Sequence, residues 1–167
     1  MGVSGSGKST VAKGLSTVLG WEFAEGDAFH PEANVAKMRS GTPLTDDDRW
    51  PWLHAVRAWI ENTLSDGKCG VVACSALKRA YRDMLVSDSN NVRLVYLRAD
   101  RDTVRHRMTA RQGHFMPVAL VDTQFAALEE PAPDENPIVV SVDAEPQAIA
   151  AEILKQLGLK PASSQQS

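Results

Sequence analysis

The sequence predicts one α/β domain built around a parallel β-sheet. Short apolar runs alternate along its 167 residues with amphipathic helical stretches, which is the pattern of strands joined by crossover helices. A chain of this length suits one hydrophobic core and leaves no room for a second large domain. A glycine-rich segment, Gly2 to Ser9, directly precedes the first helical stretch. We expect the domain to span residues 1–159 and the polar tail, residues 160–167, to be disordered.

Helices are predicted where apolar residues recur at helical spacing between capping and breaking residues. Asp100 is of a type preferred at a helix N-cap, and Gly20 is a stop signal. Thr45 and Asp48 resemble a capping box in an acidic run. The predicted helices are the stretch after the glycine-rich segment as far as Gly20, residues 31–39, a stretch from about Pro51 to Leu64, one containing Tyr81 and Leu85, one after Asp100, residues 117–128, and a closing helix from Pro146.

Four short apolar runs predict buried strands, at residues 21–24, 70–74, 92–97 and 138–142. A glycine-rich phosphate loop joins the end of a strand to the start of a helix, and only Met1 precedes Gly2 here. The strand before such a loop would lie centrally in the sheet, buried on both faces. We therefore expect the first strand to be truncated, through a mis-assigned start codon or trimming of the chain.

Composition and charge exclude several classes of function. The formal net charge of −3 and a pI of about 5.8 provide no global basic field to hold nucleic acid. No apolar run approaches the roughly 18 residues needed to span a bilayer, and the N-terminus has no secretory signal. Cys69 and Cys74 are therefore predicted to be reduced thiols. These features indicate a cytoplasmic protein with no nucleic-acid or membrane partner.

The segment Gly2 to Ser9 fits the pattern G-x-x-x-x-G-K-[ST] of a phosphate-binding loop. Its glycines let backbone N–H groups converge on phosphate oxygens, and the N-terminus of the following helix adds positive potential. Lys8 is expected to reach the β- and γ-phosphates of a nucleotide, and the Ser9 hydroxyl to bind Mg²⁺. The alternative is a Gly/Ser-rich turn that carries a lysine by coincidence, which the clean amphipathic helix after it disfavours.

A second candidate site follows the strand predicted at residues 21–24. Glu25 and Asp27 stand at the carboxyl end of that strand, where parallel sheets bind ligands. Two acids one residue apart beside a phosphate site suit one acid near Mg²⁺ and one facing an acceptor hydroxyl. A solvated acidic turn is equally compatible with these residues alone. His30, taken alone, is more typical of a helix start than of a catalyst.

Basic residues four apart mark two further candidate positions. Lys78 and Arg82 are expected to share one helix face, where they could hold a carboxylate. Arg107 and Arg111 lead into a glycine hinge, and arginines on a lid could neutralise a phosphoryl group during transfer. For both pairs the alternative is an ordinary solvated helix surface or helix end.

Longer motifs are spread over nearly the whole chain. They are GVSGSGKS at residues 2–9, GDxxHP at 26–31, PLxDxDRxPWL at 43–53, CSALKxxYRDxL at 74–85, RxGHFM at 111–116 and TQFxxLEEP at 123–131. Together they resemble gluconokinases of the small P-loop type, which are related to shikimate and adenylate kinases. The motifs at 74–85 and 111–116 are far more specific than the phosphate loop alone.

The resemblance implies transfer of the ATP γ-phosphoryl group to the 6-hydroxyl of D-gluconate, which gives 6-phospho-D-gluconate and ADP. It implies a three-layer P-loop kinase fold with sheet order 2-3-1-4-5, a small lid at about residues 107–123, and a homodimer. ATP and Mg²⁺ are the cofactors that it implies, and gluconate is the small-molecule substrate.

Site residues carry over from the matching motifs as part of the resemblance. Lys8, Asp27 and Arg111 would be catalytic, with Asp27 orienting or deprotonating the acceptor hydroxyl. Ser9 and Glu25 would serve Mg²⁺, although gluconokinases usually have Asp where Glu25 stands. ATP would be held by Gly2, Val3, Ser4, Gly5, Ser6, Gly7, Lys8, Ser9, Thr10 and Arg107, and gluconate by Asp27, His30, Arg49, Lys78, Arg82 and His114.

Other interpretations stay open at the level of sequence. A P-loop kinase for another small polar acceptor is the nearest one. Shikimate fits less well, because the glycine-rich motif that shikimate kinases place after their third strand is replaced here by the segment from Cys74 to Lys78. A GTPase switch would need an N-K-x-D segment, which the sequence lacks. A non-catalytic nucleotide-binding protein also stays open, because the chain starts at the phosphate loop.

Overall fold

The computed structural model describes residues 1–87, 90–110 and 119–162. The strands in these ranges are β1 (Glu22–Glu25), β2 (Gly70–Ala73), β3 (Val95–Arg98) and β4 (Ile138–Ser141). The helices are α1 (Lys8–Leu19), α2 (Glu32–Arg39), α3 (Asp46–Ser65), α4 (Arg79–Val86), α5 (Arg101–Ala110), α6 (Ala119–Ala127) and α7 (Pro146–Leu157). Two 3₁₀ turns, Gly26–Phe29 and Pro133–Glu135, precede α2 and β4. None of the helices in these ranges has the length and apolar content needed to cross a membrane.

The strands form two parallel pairs, which confirms the predicted α/β class. β1 pairs with β2, with Ala24 opposite Val72, and β3 pairs with β4, with Leu97 opposite Val140. The predicted order 2-3-1-4-5 includes a first strand before the phosphate loop, so β1 to β4 correspond to its strands two to five. The observed pairs β1–β2 and β3–β4 are then the neighbours 2-3 and 4-5 of that order.

Helix α3 begins at Asp46, five residues before the predicted start at Pro51. The capping box sets this start: Asp48 N–H donates to Thr45 Oγ1 (3.2 Å), and Thr45 N–H donates to Asp48 Oδ2 (2.9 Å). The two bonds satisfy backbone N–H groups at a helix start that have no partner within the helix. Pro51 is accommodated in the second turn, so the proline does not define the N-terminus of the helix.

The other predicted elements are present, and their bounds within the described ranges shift by up to three residues; the predicted start of the 117–128 helix lies outside those ranges. Gly20 ends α1 in a left-handed conformation, as expected of a stop signal. Asp100 caps α5, since its Oδ1 accepts the Thr103 N–H (2.8 Å). The largest shift is at β3, which begins at Val95 instead of residue 92 because its ladder with β4 starts at Ile138.

Among the described residues, three groups of buried side chains hold these elements together. The first packs α1 and α7 on the β3–β4 pair, and the second packs α3 and α4 beside β2. The third places Val3 of the phosphate loop against Val104 and Met108 of α5 and Val121 of α6. Each buried aliphatic side chain contributes about 1.5–3 kcal/mol. The phosphate loop is therefore anchored on its underside by the two helices that flank residues 111–118 in sequence.

Candidate active site

The phosphate loop turns sharply between Val3 and the start of α1. Gly5 and Gly7 adopt φ angles of 80° and 91°, in the left-handed region that other residues disfavour. Gly7 is the N-cap of α1, and its carbonyl accepts the Val11 N–H (3.0 Å). The turn therefore brings backbone N–H groups to the positive end of α1, which is the arrangement that binds phosphate.

Two side chains of the loop fit a nucleotide phosphate. Lys8 is the first residue of α1, and its Nζ donates to the Val3 carbonyl (2.8 Å), which keeps the ammonium group over the loop. The Ser6 hydroxyl is buried, and within the described ranges its Oγ has no hydrogen-bond partner. Leaving such a group without a partner costs about 1–3 kcal/mol. A phosphate oxygen beside Ser6 would remove that cost, so the loop fits the predicted ATP.

The turn after β1 fixes the position of Asp27. Gly26 passes so close to β2 that an added Cβ would lie 2.4 Å from the Ala73 carbonyl oxygen, so no side chain fits there. The indole Nε1 of Trp52 donates to the Gly26 carbonyl (2.7 Å). The 3₁₀ turn that begins at Gly26 then places Asp27 at the carboxyl end of β1. Asp27 is thus held by backbone packing and by one buried hydrogen bond on its neighbour.

Lys8 and Asp27 line one narrow cavity of about 50 Å³. Ser4, His30 and Arg49 line the same cavity, so the structure brings five predicted site residues together from separate segments of the chain. Glu25, which ends β1, is not among its lining residues. The cavity is also lined by Ser75, Thr123 and Gln124, to which the sequence analysis gave no role.

Gln124 is the most informative of the residues that sequence reasoning missed. Its Oε1 accepts the Ser4 N–H at 2.6 Å, so α6 is bonded directly to the phosphate loop. Val121, three residues earlier on α6, is 1% exposed and belongs to the same buried group as Val3. The signal was present in the sequence, because Gln124 lies in the TQFxxLEEP motif.

His30 lies in the cavity as a neutral ring. The imidazole stacks on the Trp52 indole, with ring centroids 4.2 Å apart. Burial, and then the positive charge of Arg49, lower the pKa of His30 to about 4. A neutral imidazole has one donor and one acceptor nitrogen. It therefore suits the hydroxyl groups of a ligand better than a ligand charge.

A charged cluster around Asp46 shares Arg49 with this cavity. Lys78 Nζ donates to both carboxylate oxygens of Asp46 at 2.8 Å, and the Tyr81 hydroxyl donates to the same carboxylate. Arg49 Nη1 lies 3.7 Å from Asp46 Oδ1. Hydrogen bonds from Lys78 and then Tyr81 hold the pKa of Asp46 below its usual value. These four residues, which we call the Asp46 cluster, bring two cations together where solvent reaches them.

The predicted pairing of Lys78 with Arg82 on one helix face is wrong. Arg82 is 1% exposed, and its Nε and Nη2 bind the two carboxylate oxygens of Glu135 at 2.5 and 3.0 Å. Its Nη1 donates to the carbonyls of Leu77 and Glu129. Lys78 is the N-cap of α4 and has an extended backbone, so a spacing of four does not align the two side chains. Arg82 joins α4 to the segment before β4, and its guanidinium is closed to a ligand.

The remaining predicted residues lie at or near the phosphate loop. Arg107 Nη2 donates to the Val142 carbonyl (2.8 Å), and its Nη1 lies 4.0 Å from where a Cβ on Gly7 would be. Ser9 and Thr10 follow Lys8 in the first turn of α1. The predicted roles of Arg111 and His114 fall on residues outside the described ranges.

Known proteins resemble this chain over most of its length. A family model described as an AAA domain matches residues 1–131. A gluconokinase from Gluconobacter oxydans (strain 621H) is 46% identical over 155 residues, which cover 93% of this chain and 87% of the relative. The crystal structure of an unliganded sugar kinase from Janibacter sp. HTCC2649 matches with a TM-score of 0.90 and 43% identity, over 95% of this chain and 92% of that one. A gluconokinase structure from Sinorhizobium meliloti 1021 matches with a TM-score of 0.83 and 45% identity, over 95% and 89%.

A parallel α/β fold whose phosphate loop opens the first helix, with a carboxylate beside it at a strand end, defines the class of P-loop kinases. The extent and identity of the matches narrow that class. The chain belongs to the gluconokinase family.

Proposed function

We propose that the chain transfers the γ-phosphoryl group of ATP to the 6-hydroxyl of D-gluconate, giving 6-phospho-D-gluconate and ADP. The observation that carries this proposal is the placement of Lys8, at the start of α1, and Asp27, at the end of β1, on one cavity. Phosphoryl transfer needs a cation at the phosphates and an acceptor for the hydroxyl proton within one small space. Membership of the gluconokinase family supports gluconate as the acceptor.

The phosphate loop supplies the binding groups for ATP. Backbone N–H groups of the loop and the buried Ser6 hydroxyl would donate to phosphate oxygens. Lys8 would exchange the Val3 carbonyl for the β- and γ-phosphates. Arg107, beside Gly7, would add positive charge where negative charge develops during transfer.

Mg²⁺ fits as the cation that accompanies ATP. Within the described ranges, no group of three or more His, Cys, Asp or Glu side chains is placed to hold a metal ion. Protein sites for Mg²⁺ beside phosphates use one or two side chains together with phosphate oxygens and water, so such a cluster is not required. The Ser9 hydroxyl would bind directly, and Glu25 would hold surrounding water. Bound Mg²⁺ supplies neutralisation of phosphate charge.

Asp27 would orient the acceptor hydroxyl and take its proton. A carboxylate accepts the hydroxyl hydrogen and so points the oxygen lone pair at the γ-phosphorus. Because the enzyme contributes mainly positioning and electrostatics in phosphoryl transfer, the fixed turn at Gly26 matters as much as the carboxylate itself. The buried Trp52 bond to that turn would hold Asp27 in position for this role.

The hydroxyls and the carboxylate of gluconate would contact His30 and the Asp46 cluster. Neutral His30 lies next to Asp27 on the cavity wall and can exchange hydrogen bonds with a hydroxyl. Lys78 and Arg49 already surround one carboxylate, that of Asp46, so they can hold a ligand carboxylate in the same way. Substrate binding would then displace Asp46 at the N-terminus of α3.

Three further parts of the proposal come from family resemblance. The lid at about residues 107–123 would close over the phosphates and supply Arg111 and His114. The chain would act as a homodimer. It would work in the cytoplasm, where ATP is available.

A coupled assay of ADP release, run with and without D-gluconate, tests the choice of acceptor. We expect release to require both gluconate and Mg²⁺. Release that depends on shikimate or a nucleoside monophosphate and not on gluconate would assign the chain to a related kinase. ATP binding without turnover on any of these acceptors would indicate a non-catalytic nucleotide-binding protein.

Two variants test the proposed catalytic residues. Lys8→Ala is expected to lower kcat at least about 100-fold, since it removes the cation from the phosphates. Asp27→Asn is expected to lower kcat about 10²- to 10⁴-fold, because an amide cannot take the proton. Asp47→Asn, at an exposed acid in the first turn of α3, is the matched control and should stay near the parent activity. Either variant with nearly full activity and an intact fold would refute the corresponding role.

A further inference from the structure

One peptide unit of the phosphate loop, the one that joins Val3 to Ser4, is held at both of its polar groups. Its carbonyl, on Val3, accepts a hydrogen bond from Lys8 Nζ at 2.8 Å. Its N–H, on Ser4, donates to Gln124 Oε1 at 2.6 Å. The Val3 carbonyl also accepts the Ser6 N–H, at a longer 3.3 Å. We call this unit the 3–4 peptide. The lysine proposed to bind ATP and a residue of α6 thus hold the same peptide by opposite ends.

The chemistry of the Ser4 N–H fixes which end of the Gln124 amide faces the loop. A backbone N–H can only donate, so the atom that it meets is the amide oxygen and not the amide nitrogen. Val121, three residues earlier, shares a helix face with Gln124 and is buried in the same group as Val3. Helix α6 therefore contacts the 3–4 peptide through one apolar and one polar side chain, and the polar one opposes rotation of the peptide.

We propose that Gln124 is a positioning residue for phosphoryl transfer: its Oε1 keeps the 3–4 peptide in place while Lys8 moves from the Val3 carbonyl to the phosphates. The inference rests on the proposed function, in which Lys8 makes that exchange. After the exchange, the Val3 carbonyl keeps only the long bond from Ser6 among the hydrogen bonds printed by the described ranges of the chain. The bond between Ser4 and Gln124 is then the main restraint on the orientation of the peptide.

A 3–4 peptide without this restraint has an electrostatic reason to turn. Its carbonyl lies within hydrogen-bond distance of the Lys8 ammonium, and so its partial negative charge is close to the place where phosphates are expected. Rotation would move that charge away and offer the Ser4 N–H to a phosphate oxygen instead. The turned loop would bind ATP at least as well, and it would hold the γ-phosphoryl group out of line with the acceptor.

This reasoning separates the effect on kcat from the effect on KM. Phosphoryl transfer depends on positioning, so a turned peptide that still binds ATP lowers kcat and leaves KM for ATP unchanged or lower. A residue that only held the loop together would behave differently. Its loss would weaken ATP binding and raise KM for ATP.

Two substitutions in the full chain separate the acceptor of Gln124 from its length and from its N–H donors. Gln124→Met keeps the length and removes the acceptor, so kcat should fall about tenfold, the worth of one hydrogen bond, with KM for ATP no higher than in the parent. Gln124→Glu keeps an acceptor oxygen and removes the donors. Its kcat should stay within about threefold of the parent, while its negative charge raises KM for ATP. Gln156→Met, at an exposed glutamine of α7, is the matched control and should behave as the parent.

The NMR resonances of the loop amides give a readout that needs no turnover. ATP and Mg²⁺, added without gluconate, should move the Gly7 amide resonance in every form, because the loop binds the phosphates. The Ser4 amide resonance should move much further in Gln124→Met than in the parent or in Gln124→Glu, because its hydrogen-bond partner changes only in the methionine form.

The outcomes distinguish a failure of this inference from a failure of the proposed function. A Gly7 resonance that ATP does not move in the parent would refute nucleotide binding, and the role of Gln124 with it. If ATP moves Gly7 and the Ser4 resonance responds equally in the parent and in Gln124→Met, the inference alone is overturned. It is also overturned if Gln124→Met keeps the parent kcat, raises KM for ATP alone or fails to fold. A kcat in Gln124→Glu as low as in Gln124→Met would overturn it too, because the amide donors would then be the groups that matter.

Discussion

The Asp46 cluster and the buried pair of Arg82 and Glu135 begin from similar sequence features and end in opposite environments. Lys78 and Arg82 are four residues apart, and each binds a carboxylate with two hydrogen bonds. The side chain of Lys78 is 31% exposed and that of Arg82 is 1% exposed. A carboxylate from solvent can therefore compete for the first cation and cannot reach the second.

Exposure separates a charge that a ligand can reach from a charge that is available only to the fold. Exposed ion pairs contribute about 0–1 kcal/mol, so exchanging one carboxylate for another at Lys78 costs little. Removing one partner of a buried pair costs about 3–5 kcal/mol, because the remaining charge is left without compensation. The same chemical groups can thus be loosely held at a binding surface and tightly held a few residues away.

The largest expected effect is the loss of the buried pair. Arg82→Ala should lower the free energy of unfolding by about 3–5 kcal/mol, because Glu135 would be left charged and buried. Arg79→Ala is the matched control on the same helix, since Arg79 forms an exposed pair with Asp134 (2.7 Å) and should cost at most about 1 kcal/mol. Urea denaturation of both variants measures the difference. Equal losses of unfolding free energy in the two variants would show that burial does not distinguish the Arg82 pair from the exposed Arg79 pair.

A smaller effect, on binding, is expected at the exposed cluster. Lys78→Ala should raise KM for gluconate about tenfold with kcat nearly unchanged, since it removes a charge-assisted hydrogen bond to the substrate. Its free energy of unfolding should change by less than about 1 kcal/mol. Lys68→Ala, at an exposed pair with Glu22 at the opposite end of the strands, is the control and should leave KM unchanged. A large stability loss without a change in KM would make the Asp46 cluster structural.

The pH dependence of stability extends the comparison to His30, whose burial is intermediate between that of Lys78 and that of Arg82. The pKa of His30 is lowered to about 4 in the folded chain and is near 6.5 when unfolded. The unfolded state therefore binds the extra proton first, and stability falls as the pH is lowered from about 6.5 to 4. We expect His30→Gln to lose less stability than the parent over this range, by up to about 1 kcal/mol because the ring is partly solvated. If stability fell equally with pH in the parent and in His30→Gln, the pKa of His30 would not be lowered by folding.

The smallest expected effect is that of salt on KM for gluconate, and it should arise at the exposed Asp46 cluster. Raising the ionic strength from about 0.1 to 0.5 M screens exposed charges, so KM for gluconate should rise about two- to threefold in the parent. Lys78→Ala should show a weaker dependence, because part of the screened attraction is already absent. A salt response that is identical in the two proteins would place the substrate carboxylate elsewhere.

Local signals in the sequence predicted the fold well. Gly20 as the end of α1 and Asp100 as the cap of α5 depend on neighbours within one helical turn, and both are confirmed. The start of α3 differs from the prediction at Pro51 because the capping box at Thr45 and Asp48 sets it. That box satisfies two backbone N–H groups, whereas the proline needs only a position near the helix start.

Contacts between distant segments account for what the sequence did not predict. Arg82 binds Glu135, 53 residues away, and Gln124 binds the Ser4 backbone, 120 residues away. No periodicity within a helix encodes either partner. Lys8 was predicted from the phosphate-loop motif, and Asp27 could be placed on the same site because ligands bind at the carboxyl ends of parallel strands. The roles of Arg111 and His114 stay predictions.

The close approach of Gly26 to Ala73 gives neighbouring positions very different freedom to vary. A side chain at position 26 would have to push β1 away from β2, and with it Asp27, the residue proposed to face the acceptor. Position 25 is only partly buried, so its side chain is not confined in this way. Substitutions are therefore expected to be tolerated at position 25 and not at position 26. The spacing between Glu25 and Asp27 is kept by a residue that has no side chain at all.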